Sequence, residues 1–165
     1  ASHVILPGVG AFGDAMEKLN SYGLTEVVHE AAAKGIPLLG ICLGLQLLFE
    51  ASEESLGVHG LGLIPGSVIR IPDQAGSLKI PHMGWNSLEF PKKSKLFEGV
   101  IKGSFVYFVH SYYLQAEDEN VVAAISKYGA DIHAAVEWEN IYATQFHPEK
   151  SSAVGLKILS NFLEA

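Results

Sequence analysis

Gly40-Ile41-Cys42-Leu43-Gly44 sets the only cysteine of the chain between two glycines, after the apolar run Ile36-Pro37-Leu38-Leu39 and before the helix-like run Leu43 to Phe49. A strand that turns this sharply into a helix is a nucleophile elbow, here with sulfur in place of oxygen. The flanking glycines remove the side chains that would clash, and the nucleophile projects from the carboxyl end of a sheet. The following helix aims its amino terminus at the sulfur, and its unpaired N–H groups are expected to favour the reactive thiolate over the thiol. Taken alone, the same five residues also suit a buried structural cysteine, since free cysteine is among the most buried residue types.

Gln145-Phe146-His147-Pro148-Glu149, near the other end, moves the reading toward chemistry. A cysteine nucleophile needs a base to take its proton and return it to a leaving group, and the base needs an acid to fix its tautomer. His147 and Glu149 fit those roles. They follow the strand-like run Ile141 to Phe146, and Pro148 stiffens the turn between them, so both side chains can emerge from one sheet edge. A lone His-x-Glu is common in surface turns; its conjunction with a glycine-flanked cysteine is much less so.

A length of 165 residues, 48% apolar and 18% charged, suits one domain with a substantial core, and we expect a single domain over residues 1–165. The formal net charge is −7, with no basic cluster denser than Lys92-Lys93-Ser94-Lys95, which disfavours a surface that tracks nucleic-acid phosphates. One cysteine excludes an internal disulfide framework and a cysteine-rich zinc site, and suits a reducing compartment; a cytoplasmic location is expected. No apolar run approaches the ~20 residues that span a bilayer. The amino terminus, Ala1-Ser2-His3-Val4-Ile5-Leu6, begins inside what reads as a strand, so the domain is expected to be truncated there.

The first half alternates strand and helix. His3 to Leu6 reads as a strand, Asp14 to Asn20 and Thr25 to Lys34 as helices, Gly35 as a C-cap and Ile36 to Leu39 as the next strand. That spacing calls for a parallel sheet with crossover helices. From Leu63 onward, short strand-like runs follow one another between turns: Ser67 to Ile71, Trp85 to Phe90, Phe105 to His110, Val121 to Ser126, Ala134 to Trp138 and Ile141 to Phe146. Antiparallel or mixed pairing fits them best. Val154 to Leu163 closes the chain with an apolar helical face.

Two further motifs compete. Gly8-Val9-Gly10-Ala11-Phe12-Gly13 matches the glycine pattern of a dinucleotide site between a strand and a helix. The acid that should hold the ribose at the end of the next strand is missing, because that strand ends Leu38-Leu39-Gly40 and Glu30 falls within a helix. Beside a cysteine nucleophile the same turn can instead supply N–H groups to an oxyanion, with Val9, Gly10 and Leu43 as candidates. His29-Glu30-Ala31-Ala32-Ala33 begins like a zinc-protease helix, but Ala33 stands where the second histidine is required. His3, His59, His82, His110 and His133 form no ligand spacing. No metal or cofactor is expected.

With these residues in view, the chain resembles the class I glutamine amidotransferases, and within them the glutaminase subunits of imidazole glycerol phosphate synthase. The motifs are Pro7-Gly8-Val9-Gly10-Ala11-Phe12, Gly40-Ile41-Cys42-Leu43-Gly44-Leu45-Gln46, Pro81-His82-Met83-Gly84-Trp85-Asn86, His110-Ser111-Tyr112 and Phe146-His147-Pro148-Glu149-Lys150-Ser151. The resemblance implies an α/β fold, a flavodoxin-like mixed sheet flanked by helices, with the first strand and helix of the family missing.

It also implies a catalytic triad of Cys42, His147 and Glu149 that releases glutamate and ammonia from glutamine. Gly10, Gln46, Glu54, Ser111 and Tyr112 fall where the family holds that substrate. A zwitterionic amino acid needs a carboxylate for its ammonium and N–H donors for its carboxylate, and Glu54 and Gln46 are of those kinds. The implied partner is a (β/α)₈-barrel cyclase, faced by Trp85, Asn86, Tyr107 and Lys150, which uses the ammonia to make imidazole glycerol phosphate for histidine biosynthesis. The competing functions are a dinucleotide-binding oxidoreductase and a non-catalytic redox sensor acting through Cys42.

Overall fold

Two parallel strands, β1 (Val4–Leu6) and β2 (Leu38–Ile41), lie side by side in the computed structural model, which describes residues 1–165, with Ile5 opposite Leu39. Parallel neighbours need a crossover, and helices α1 (Phe12–Ser21) and α2 (Leu24–Ala33) provide it. The end of α2 follows from Gly35. With φ at 72° it takes the left-handed conformation, and the N–H groups of Gly35 and Ile36 donate to the carbonyls of Ala32 and Ala31, both at 3.1 Å. The chain then turns back directly into β2.

After β2 comes the short helix α3 (Leu43–Leu47), then β3 (Ala51–Ser52), β4 (Gly66–Arg70), β5 (His82–Ser87), β6 (Phe105–His110), β7 (Tyr112–Ala116), β8 (Val122–Lys127), β9 (Asp131–Trp138), β10 (Ile141–Thr144) and the closing helix α4 (Ser152–Leu163). The main sheet has the order β1-β2-β10-β9-β8. β10 runs parallel to β2, with Ile141 to Thr144 opposite Leu38 to Ile41, while β9 and β8 continue antiparallel. The class is thus α/β with a mixed sheet, as expected. Because β2 and β10 are parallel neighbours, the residues that follow them, Cys42 and His147, leave the sheet at the same end.

Leu38 and Leu39 are both fully buried but face opposite ways, as strand alternation requires. Leu38 joins Phe12, Met16, Leu45, Phe49 and Leu114 in one core beneath α1, α2 and α3. Leu39 joins Phe108, Tyr142, Phe146, Ile158 and Phe162 in a second, beneath α4 and the β5–β6 hairpin. Cys42 belongs to the second core, which matters for its acidity.

Several elements depart from the sequence reading. β5 covers His82–Ser87 rather than Trp85 to Phe90, because pairing with β6 places His82 opposite His110 and Trp85 opposite Tyr107. β7 was not anticipated: a single residue, Ser111, separates it from β6, yet the two join different sheets, β6 to β5 and β7 to β4. α3 stops at Leu47 rather than Phe49. No helix is long and apolar enough to cross a membrane.

Candidate active site

Cys42 has φ 55° and ψ −110°, a conformation that non-glycine residues rarely adopt and that is held here by its surroundings. Its N–H donates to the Thr144 carbonyl at 2.8 Å, extending the β2–β10 ladder by one rung. Both flanking glycines are required by close approach. A Cβ on Gly44 would stand 1.8 Å from the Leu6 carbonyl oxygen, and one on Gly40 would stand 2.8 Å from the Gly44 carbonyl oxygen. The turn therefore forms only with these glycines, and it presents the sulfur from the end of β2.

His147 follows β10, with Pro148–Lys150 as one 3₁₀ turn behind it. Its Nδ1 lies 2.7 Å from Glu149 Oε1, which fixes the ring, whereas its Nε2 is buried without a hydrogen-bond partner. That leaves Nε2 as the atom available for proton transfer. Ser151 secures the turn from behind: its hydroxyl donates to the His147 carbonyl at 2.6 Å and accepts from the Tyr107 N–H at 3.0 Å. The His147 N–H in turn donates to the Tyr107 carbonyl at 3.0 Å.

Two groups beside the sulfur, Gln145 and the Val109 carbonyl, had no role in the sequence reading. Gln145 Nε2 approaches Sγ at 3.7 Å, and Sγ lies 4.0 Å from the Val109 carbonyl oxygen. Gln46 Nε2 donates to Gln145 Oε1 at 3.1 Å and to the Tyr112 carbonyl at 3.2 Å. The sequence did signal Gln145 by its place two residues before His147. It directly follows β10, so it leaves the sheet at the same end as Cys42 and His147.

The thiol itself departs from expectation. Burial in the second core pushes its pKa up to about 11, against the Leu43 N–H, which favours the thiolate. Glu149 raises it further, while Gln145 and Lys150 pull it down. The expected net stabilisation of the thiolate by the helix is therefore corrected: α3 has only five residues, and desolvation of a nearly buried sulfur outweighs one N–H group. A nucleophilic role for Cys42 therefore calls for a base that takes its proton.

A cleft of about 330 Å³ opens at the sulfur, lined by Val9, Gly10, Cys42, Leu43, Gln46, Glu54, Ser111, Tyr112 and His147, together with Val109 and His110. Thus every candidate nucleophile, base, oxyanion and substrate-binding residue lies on one cavity, and Glu149 sits directly behind it. A larger hollow of about 760 Å³ between Lys92, Lys95, Phe97, Glu98 and Glu137 holds no cysteine or histidine. The Glu137 carboxylate there already accepts from the Ser94 hydroxyl and the Lys95 and Leu96 N–H groups.

The glycine-rich turn also answers the dinucleotide reading. At the start of α1, the Phe12 N–H donates to Glu54 Oε2 at 3.2 Å and the Gly13 N–H to the Ser55 hydroxyl at 2.9 Å. A pyrophosphate would need those donors and would meet a carboxylate instead. The same bond holds Glu54 at the cleft with Oε1 uncommitted. A redox-sensing role fares no better, since such cysteines are accessible and have lowered pKa values.

On the outer face of the β5–β6 hairpin, Trp85 is half-exposed beside Met83 and Phe105, with Tyr107 edge-on to Trp85 at 6.1 Å between ring centres. Asn86 is half-buried and Lys150 exposed on the adjoining turn.

A thiol on an elbow, an imidazole with a free Nε2 and a carboxylate behind it are the parts of a cysteine-dependent acyl-transfer site. The family model for class I glutamine amidotransferases matches residues 1–165, and the chain belongs to that family. It is 51% identical over 164 residues to the imidazole glycerol phosphate synthase subunit HisH of Moorella thermoacetica, covering 99% of this chain and 77% of the relative. The subunit of the same name from Aquifex aeolicus is 52% identical over 162 residues, 98% of this chain and 77% of the relative. That of Methanocaldococcus jannaschii is 48% identical over 161 residues, 98% and 79%. Among solved structures, a glutamine amidotransferase shares the fold with a TM-score of 0.73 at 22% identity, over 99% of this chain and 78% of that one. PurLQS from Thermotoga maritima shares it at 0.71 and 21%, over 99% and 79%.

Proposed function

We propose that this chain is the glutaminase subunit of an imidazole glycerol phosphate synthase in histidine biosynthesis, with Cys42, His147 and Glu149 as its triad. The observation that carries the reading is the free, buried Nε2 of His147, with Glu149 on its other nitrogen, on the same cleft as Cys42. About 50% identity to subunits of that name supports the assignment.

Glutamine enters with its ammonium at Glu54 and its carboxylate toward the N–H groups of the Gly10 and Ser111–Tyr112 segments. His147 Nε2 takes the Cys42 proton as Sγ attacks the side-chain amide carbon. The oxyanion meets the N–H of Leu43 and of the Val9–Gly10 turn. His147 then protonates the departing nitrogen, releasing ammonia and leaving a thioester. Water, deprotonated by the same imidazole, attacks the thioester and frees glutamate.

The ammonia passes to a (β/α)₈-barrel cyclase seated on Trp85, Asn86, Tyr107 and Lys150. There it reacts with a phosphorylated ribulosyl carboxamide nucleotide. An exposed tryptophan with a half-buried tyrosine edge-on to it, flanked by polar groups, suits an interface anchor. A thiol held protonated by burial suits an enzyme that idles until its partner is ready. Residues 1–165 act as one glutamine amidotransferase domain, in the cytoplasm. Steady-state glutamate release, measured for the subunit alone, with the cyclase, and with cyclase plus its nucleotide ligand, tests the reading. Turnover should rise at each step; equal turnover in all three would remove the coupling, and no glutamate in any would remove the function.

A further inference from the structure

A chain of hydrogen bonds leads from the partner-facing strand β5 to the sulfur of Cys42, and backbone groups dictate the direction of every link. Asn86 Nδ2 is 3.0 Å from the Lys127 carbonyl, which can only accept, and Asn86 Oδ1 receives the Ser87 N–H at 2.8 Å. The amide of Asn86 is thereby fixed with its NH₂ toward His82 Nε2, 3.2 Å away, so that nitrogen must be the acceptor. His82 then carries its proton on Nδ1, which lies 2.9 Å from His110 Nε2. His110 must likewise carry its proton on Nδ1, and that N–H donates to the Tyr112 carbonyl at 2.8 Å. The same carbonyl anchors Gln46 Nε2, whose other hydrogen meets Gln145 Oε1, which leaves Gln145 Nε2 directed at Sγ.

We propose that His82 and His110, oriented by Asn86, are positioning residues for the glutaminase reaction: a one-way relay of neutral imidazoles that holds the Tyr112 carbonyl, and through it the Gln46 and Gln145 amides, in register with Cys42. The proposal rests on the glutaminase reading above. Neither histidine touches the substrate's reacting bond in that reading; both act through Tyr112.

The surroundings keep the relay neutral. Burial lowers the pKa of His82 to about 4 and that of His110 to about 3, and the neighbouring His82 and His147 rings oppose a charge on His110. His82 is stacked between Phe108 at 4.6 Å and Tyr128 at 3.9 Å, so its ring cannot swing away from the line. Reversal at one link would set two lone pairs against each other between His82 Nδ1 and His110 Nε2, which is a cost the buried site cannot relieve with water.

The test compares the native chain with His82→Asn, His82→Leu and Asn86→Asp, reading kcat and KM for glutamine and the rate of Cys42 alkylation by iodoacetamide across pH. His82→Asn keeps an N–H toward His110 and should retain most of what His82→Leu loses, about ten- to a hundredfold in kcat with little change in KM. In Asn86→Asp the carboxylate raises the His82 pKa. Below that value the imidazolium donates both ways and the relay stands; above it the single N–H turns to Asp and the relay breaks. Its kcat and its alkylation rate, each divided by the native chain's at the same pH, should therefore fall with rising pH between about pH 6 and 8. Equal losses in His82→Asn and His82→Leu, or an Asn86→Asp profile that is only scaled, would overturn the proposal. Nitrogen-15 NMR of the rings decides the tautomers without any turnover: both should be Nδ1–H, and an Nε2–H tautomer at either would overturn the relay. If the native chain releases no glutamate, the glutaminase reading falls by itself, while alkylation and NMR still decide the relay.

Discussion

His147 Nδ1 and Glu149 Oε1 stand 2.7 Å apart although the two residues are separated by Pro148 alone. The 3₁₀ turn from Pro148 to Lys150 folds the carboxylate back onto the ring that precedes it, and Ser151 ties the turn to Tyr107 on β6. The proposed base and its orienting acid are thus one local unit, carried by β10 to the end of the sheet where Cys42 sits. Glu149→Gln removes the charge that stabilises an imidazolium at His147. We expect kcat to fall by about 10² to 10⁴ with the thermal midpoint nearly unchanged, since Glu149 is half-exposed. Steady-state glutamate release and a melting curve check it.

The elbow makes a sharper demand on folding. Gly44→Ala would drive a methyl group into the Leu6 carbonyl, and relief requires moving β1 or α3. A loss of about 3 kcal/mol or more is expected, at the upper end for overpacked sites. Gly10→Ala has open space around its Cβ and strain only from φ at 100°, so it should cost less. Urea unfolding of the two variants beside the native chain gives the comparison.

Burial of the thiol predicts a pH dependence of stability. The folded pKa of Cys42, about 11, lies above the ordinary thiol value of 9.0. Below about pH 9 the thiol is neutral in both states and the full stability is present. Between about pH 9 and 11 the unfolded chain ionises and the folded one does not, so stability falls by roughly 3 kcal/mol. Cys42→Ser, which has no group ionising there, should lack this component of the loss. Unfolding free energies of both proteins from pH 8 to 11 measure it.

Trp85 lies across from Tyr107 on the exposed face of β5–β6, away from both main cores. Trp85→Ala should weaken binding of the cyclase by about 30-fold or more, as for an interface anchor, and leave the melting temperature of the isolated chain within a few degrees. Titration calorimetry against the cyclase, with a melting curve of each protein, separates the two effects.

Much of this site was legible because its parts are local. Gly40-Ile41-Cys42-Leu43-Gly44 specifies a turn within five residues, and His147-Pro148-Glu149 specifies the base and its acid within three. Parallel pairing of β2 and β10 followed from neither, yet it is what brings them together. The relay could not be read, because His82 and His110 meet only through the β5–β6 register, 28 residues apart. β7 was missed because one residue separates it from β6 and no turn signal marks a strand that changes sheets. The state of the thiol was misjudged for a related reason: the helix start is written in the sequence, but the depth of the sulfur depends on Phe108, Phe146 and the rest of the second core.

Cys42 is the residue expected to take the glutamyl group. Incubation of the native chain with an electrophilic glutamine analogue, followed by intact-mass and peptide mass spectrometry, tests that most directly. One adduct per chain is expected, on Cys42, formed in step with loss of glutaminase activity and prevented by excess glutamine. An adduct on any other residue, or activity lost with Cys42 unmodified, would contradict the account.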